Sequence, residues 1–157
     1  MTESLAALDR TDLRILRLLQ RDGRLSNADL AIKVGVSAAT CHRRTQRLFA
    51  AGYLSGVRAL VAPARVELGT LVMVGVVLDR STPDSFAAFE AAVRKLKFVI
   101  DCHVVAGDFD YFLKLRARDI ADVNRIHGTQ LLALPGVRQV RTFFVLKEVV
   151  DNAPLEF

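Results

Sequence analysis

Apolar residues over the first fifty positions recur at helical spacing and are interrupted twice by turn signals. Leu13, Ile15, Leu16, Leu18 and Leu19 form the apolar face of a first helix, which Asp9 caps and to whose first turn Asp12 adds negative charge. It should end near Arg21, ahead of Asp22-Gly23. Ser26 caps a second helix, with Asp29 three residues on approximating a capping box and Leu30, Ala31 and Val34 facing inward. Gly35-Val36 supply the next turn, and Ser37 opens a third helix that runs to Ala51 and stops at Gly52. Small Ala31 and, four residues on, Gly35 let two helices approach closely and turn sharply, as a helix-turn-helix requires.

Beyond this the pattern changes. Tyr53 to Leu60 reads as an extended segment, and Pro63 breaks regular structure in a linker over residues 57–69. Leu71 to Leu78 is apolar at both parities, the mark of a strand buried on both faces. Ser85 to Lys97 is an amphipathic helix with Phe86, Phe89, Ala92, Val93 and Leu96 on one side. Val99 to Val105 and Tyr111 to Arg116 are strands joined across a Gly107-Asp108 turn. Asp119 to Ala133 is helical, Leu134-Pro135-Gly136 closes it, and Val137 to Val150 is the last strand, with Phe143 and Phe144 on opposite faces. The order strand, helix, strand, strand, helix, strand is the split arrangement of a ferredoxin-like βαββαβ domain. The fold class is therefore α+β: a (winged) helix-turn-helix domain over residues 1–56, the linker, a βαββαβ domain over 70–150 and a tail over 151–157. With both helices on one face of such a sheet, the other face would expose apolar side chains unless a second subunit covers it, which points to a homodimer.

Charge sharpens the division. Residues 1–66 hold 11 Lys/Arg against 5 Asp/Glu and residues 67–157 hold 11 against 12, so the net +5 of the chain divides as +6 and −1. The basic excess belongs wholly to the helical half, where double-stranded DNA is the expected partner. On the third helix Cys41, Thr45 and Leu48 share the inward face. Ser37, Ala38, Ala39, His42, Arg43, Gln46 and Arg47 are the candidate DNA-binding residues, the alanines permitting close approach and Arg43 suited to guanine in the major groove. Arg44 lies nearer the buried edge, where a structural ion pair and a phosphate contact fit equally well.

Other chemistry finds little support. No apolar run approaches the roughly 20 residues of a membrane span and no secretory signal precedes the first helix, so no membrane partner and a cytoplasmic, nucleoid-associated location are expected. The two cysteines, Cys41 and Cys102, suit a reducing compartment and read as small core residues. His42, His103 and His127 lie in different elements, with no nucleophile elbow or phosphate-binding loop, so no catalytic residues and no cofactor are expected. In Asp101-Cys102-His103 neighbouring side chains point to opposite faces of a strand, which argues against a metal site. Phe109, Tyr111 and Phe112 come with Asp108 and Asp110 in an acidic half, which argues against an RNA-binding sheet.

The chain resembles the Lrp/AsnC (feast/famine) transcriptional regulators from Leu8 to Val150. The matching motifs are L-D-x-x-D at Leu8 to Asp12, L-Q-x-D-G-R at Leu19 to Arg24, V-G-V-S-x-x-x-C at Val34 to Cys41, C-H-x-V-x-G-D-F-D-Y at Cys102 to Tyr111 and L-P-G-V at Leu134 to Val137. Thr45 stands where the family usually has Val, and Phe49 where it usually has Glu. The resemblance implies a DNA-binding domain joined to an amino-acid-sensing (RAM, or AsnC-type) domain, in homodimers that assemble to octamers. It also implies an amino-acid effector held between subunits near Val104, Gly107, Asp108, Asp110, Ile120, Phe143 and Phe144. An architectural DNA-wrapping protein with little effector dependence is the alternative.

Overall fold

The computed structural model describes residues 8–80 and 82–157, so the first seven residues of the N-terminal domain lie outside the description. Two compact units emerge among these residues: 61–149, and 8–60 together with 150–157.

The N-terminal unit holds α1 (Arg10–Leu19), α2 (Asn27–Val34) and α3 (Ala38–Ala50). Each begins where its cap requires: Asp9, Ser26 and Ser37 accept from the backbone N–H groups of Asp12, Asp29 and Thr40. At Asp9 the box is reciprocal, because the Asp12 carboxylate accepts in turn from the Asp9 N–H. Gly35 closes α2 at φ 77°, a left-handed conformation natural to glycine, and the chain turns into α3 there. Ile15, Leu16, Leu30, Ala31, Val34, Cys41 and Leu48 form the core. The segment over 53–60 is irregular, and no strand pairs with it among the described residues. Residues of the tail belong to this unit: Gln20 exchanges two hydrogen bonds with the backbone of Leu155, at 2.8 and 3.0 Å, and the Arg17 guanidinium donates to the Phe157 carbonyl.

The second unit follows the expected order: β1 (Thr70–Leu78), α4 (Pro83–Val93), β2 (Val99–Val104), β3 (Tyr111–Ala117), α5 (Ile120–Ile126) and β4 (Val137–Phe144). All pairings are antiparallel and the spatial order is β2-β3-β1-β4. Central β1 is buried along most of its length because Val72, Val74, Val76 and Leu78 meet Phe89, Val93, Val123 and Ile126 of the helices in one core.

Several details depart from expectation. Pro63 starts a short 3-10 turn over Pro63–Val66 rather than merely breaking structure. Helix α4 begins earlier, because Thr82 caps it through Ser85 and Pro83 sits in the first turn, where its missing N–H costs nothing. After α5 the chain continues as a π-helical turn over His127–Leu131. Strand β4 stops at Phe144, which faces Val72, and one further bond follows, from the Val145 N–H to the Leu71 carbonyl. Cys102 is exposed, not a core residue, because β2 is the edge strand of the sheet and is exposed from Ile100 onward; Cys41 is buried as expected. No helix among the described residues is long and apolar enough to cross a membrane.

One glycine records a close approach. A Cβ on Gly75 would lie 2.6 Å from ring carbons of Phe109, which rests across β1 and stands edge-on to Phe112 and Phe143. Gly75→Ala should therefore displace this ring cluster and destabilise the sheet domain by about 1–3 kcal/mol. Denaturant unfolding checks this, and an unchanged midpoint would contradict it.

Candidate nucleic-acid interface and effector region

All seven candidate DNA-binding residues are solvent-exposed: Ser37, Ala38 and Ala39 at the start of α3, and His42, Arg43, Gln46 and Arg47 along it. The start of the helix is fixed from two sides. Ser37 caps it and bonds the Thr40 hydroxyl at 3.0 Å, while Asn27 at the start of α2 donates to the Ala38 carbonyl at 2.9 Å. Backbone position at the start of α3 is thus set by the Ser37 and Asn27 side chains.

The base of the same helix is held by acids. Arg44 Nη1 donates to Asp9 Oδ2 at 2.6 Å and to Asp12 Oδ1 at 3.0 Å, and Arg47 Nη2 donates to Asp12 Oδ2. Asp12 is 1% exposed, Arg44 26% and Arg47 56%. The Asp12 backbone N–H, and after it the Arg44 guanidinium, hold the Asp9 carboxyl below its usual pKa; Asp9 and then Asp12 push that of Arg44 up. Arg44 is therefore the ion pair of the two roles the sequence left open, and Arg47 is tied at one nitrogen while facing outward. Arg43 makes no ion pair among the described residues, and with Asp9, Arg44 and Arg47 it lines a crevice of about 170 Å³. The sequence missed Asp9 and Asp12 as partners of this helix because each already had a local role, cap and first-turn charge, that accounted for it.

In the second unit the hairpin between β2 and β3 gathers Val104, Gly107, Asp108 and Asp110 at the Leu78 end of β1. Asp110 is committed structurally: its Oδ2 accepts from the Leu78 N–H at 2.8 Å, and its own N–H donates to the Val76 carbonyl at 2.9 Å. Phe143 joins this region through Phe109, their ring centroids 6.4 Å apart, and the Arg141 guanidinium lies 5.8 Å from the Phe109 centroid. Phe144 does not join it. It follows Phe143 on β4 and pairs with buried Val72, so it points to the opposite face of the sheet from Phe143. Ile120 starts α5 just beyond Ala117, which pairs with Thr70 at the end of β1 opposite Leu78. Phe109 and Arg141 were missed by sequence reasoning, although a glycine isolated inside an apolar strand signals a close neighbour.

On the helix side of the sheet, Glu90, Val93, Arg94, Cys102, Val104 and Tyr111 line a crevice of about 270 Å³. The Tyr111 hydroxyl donates to Glu90 at 3.1 Å, and burial, then Glu90, pushes its pKa up to about 12. Burial likewise pushes the Cys102 thiol up. Among the described residues no group of three His, Cys, Asp or Glu side chains is arranged to hold a metal ion.

One residue of α3 is at odds with its surroundings. Thr45 Oγ1 is buried and, among the described residues, has no hydrogen-bond partner. Thr45→Val removes this unpaired hydroxyl at nearly constant shape and should stabilise the helical unit by about 1–3 kcal/mol. Denaturant unfolding followed by circular dichroism reads the change, and a loss of stability would contradict it.

Comparison with known proteins agrees with this geometry. The AsnC-type helix-turn-helix domain matches residues 8–48 and the Lrp/AsnC ligand binding domain matches residues 71–155. The leucine-responsive regulatory protein of Haemophilus influenzae is 46% identical over 143 residues, covering 91% of this chain and 86% of that protein. Its counterpart in Escherichia coli K12 is 44% identical over 145 residues, covering 92% and 88%. Among solved structures, a transcriptional regulator from Neisseria meningitidis in complex with L-Met superposes with a TM-score of 0.90 at 35% identity, covering 95% of this chain and 96% of that one. An AsnC family transcriptional regulator from Agrobacterium tumefaciens gives 0.89 at 30% identity, covering 95% and 97%. The chain belongs to the Lrp/AsnC family of transcriptional regulators, proteins that bind DNA through a helix-turn-helix, carry a ligand-binding domain and are not enzymes.

Proposed function

We propose that this regulator reads specific DNA sites with α3 and that an amino acid bound between subunits changes how long it stays there. On the DNA side, Ser37, Ala38, Ala39, His42, Arg43 and Gln46 form the reading face, with Arg43 and Gln46 addressing bases and Arg47 at the rim. What supports this is their common exposure on one capped helix whose opposite face, Cys41 and Leu48, is buried. On the effector side, the carrying observation is that Val104, Gly107, Asp108 and Asp110 gather at one end of the sheet, with Phe143 reaching them through Phe109, while Ile120 lies at the other end and Phe144 points to the opposite face from Phe143. One ligand touches both sets only if a second copy brings its own Ile120 and Phe144 to the hairpin. This supports a homodimer that assembles further, to an octamer, with the effector at the contact.

The effector we propose is an aliphatic amino acid. The relatives are named for leucine response, and the Neisseria regulator was solved with L-Met. Exposed turn amides at Gly107 and Asp108 suit an α-carboxylate, and the carboxylates of Asp108 and Asp110 suit an α-ammonium. For such a ligand to regulate, it must bind two assemblies or orientations with different affinity. A wrapping role with little effector dependence is not favoured in a chain whose residues 71–155 match a ligand-binding domain.

Two variants test the halves separately. Arg43→Ala should weaken binding to a duplex enriched by the wild-type protein from genomic fragments by about 1–3 kcal/mol, read by fluorescence anisotropy. Unchanged binding would remove Arg43 from the reading face. Asp110→Asn keeps an acceptor for the Leu78 N–H but removes the charge, and should abolish the thermal stabilisation that leucine or methionine gives the wild type, while DNA binding without effector persists. An undiminished shift would place the ammonium elsewhere.

A further inference from the structure

Asp12 is the one buried charged residue among those described, and both its carboxylate oxygens are engaged by the reading helix. Oδ1 takes Arg44, Oδ2 takes Arg47 and the Asp9 N–H, and Asp9 places a second carboxylate on Arg44. Of three arginines within five positions on α3, two are thus matched by two acids from the start of α1, leaving Arg43 as the guanidinium without an acidic partner among the described residues. Sequence-independent DNA affinity grows with the number of phosphates a protein neutralises, whereas specificity is the ratio of site affinity to that background. A guanidinium tied to a carboxylate contributes less to the background than a free one.

We infer that Asp12, assisted by Asp9, is a positioning residue that restrains Arg44 and Arg47 and so suppresses non-specific phosphate binding by the reading helix. It acts through the arginines and need not touch DNA itself. The inference deepens the proposed DNA reading by α3 and rests on it. It also gives a reason for a buried carboxylate at this point: a buried pair contributes little net stability over an apolar replacement, but it does fix which charges are free.

The test compares Asp12→Asn, Asp9→Asn and Asp22→Asn in the full chain, the last raising the net charge equally at an acid that accepts from the Arg24 backbone N–H. Binding is measured over a range of potassium chloride, to a random-sequence duplex and to a duplex enriched by the wild-type protein from a random pool. Asp12→Asn should bind the random duplex several-fold tighter, with a salt slope steeper by up to about 0.9 for each arginine released, and the specificity ratio should fall. Asp9→Asn, which keeps a good helix cap, should move the same way by less, and decides the matter if Asp12→Asn fails to fold. Asp22→Asn should leave the slope as it is. An unchanged slope in both Asp9→Asn and Asp12→Asn, or an equal change in Asp22→Asn, overturns the inference. Failure of the wild type to enrich any duplex would instead sink the reading of α3, while slopes on the random duplex would still decide the role of Asp12.

Discussion

Asp12 sits where α1 meets α3, and a carboxylate with 1% of its surface exposed tolerates few surroundings. It must be met by opposite charge and by donors for its lone pairs, and removing one partner of such a pair costs about 3–5 kcal/mol. Here the donors come from Arg44, Arg47 and the Asp9 backbone, so one buried group ties the cap of the first helix to the base of the third. The tip of α3 is held independently by Ser37 and Asn27. Between these two anchors the outer face of the helix is left exposed and preoriented, as recognition of base edges demands.

The sheet unit is organised by a different constraint. Its central strand is buried because helices cover one face, while on the other face Phe109 lies over Gly75 and brings Phe112, Phe143 and the Arg141 guanidinium together. The hairpin that carries Gly107 and Asp108 is fastened to the end of β1 through Asp110. A carboxylate with such a structural bond is a precise place to hold a ligand and a sensitive place to alter, which is why a charge-only substitution separates its two roles better than alanine does. Ile120, at the start of α5, stands at the opposite end of this sheet from that hairpin.

Much of this was legible in the chain because it was local. Caps at Asp9, Ser26 and Ser37, the turn at Gly35 and the two-faced apolar run from Leu71 announce themselves within a few residues, and the order of strands and helices followed from them. What escaped depends on pairing between distant segments. Nothing near Arg44 reveals that Asp9 and Asp12, more than thirty positions earlier, would claim it. Cys102 looked like core because its strand is apolar at several positions, but whether a strand lies at an edge is a property of the sheet. Strand β4 looked longer than it is because Val145, Leu146, Val149 and Val150 continue its apolar character after its pairing with β1 has stopped.

The most direct measurement is nuclear magnetic resonance of the arginine side chains, following rotation of each guanidinium in the free protein and as a duplex is added. Arg44 should rotate slowly before any DNA is present, held by Asp9 and Asp12, while Arg43 rotates freely and slows only when DNA binds. Equally free rotation of Arg43 and Arg44 in the unbound protein would contradict the claim that buried acid at the base of the reading helix decides which of its charges meet the nucleic acid.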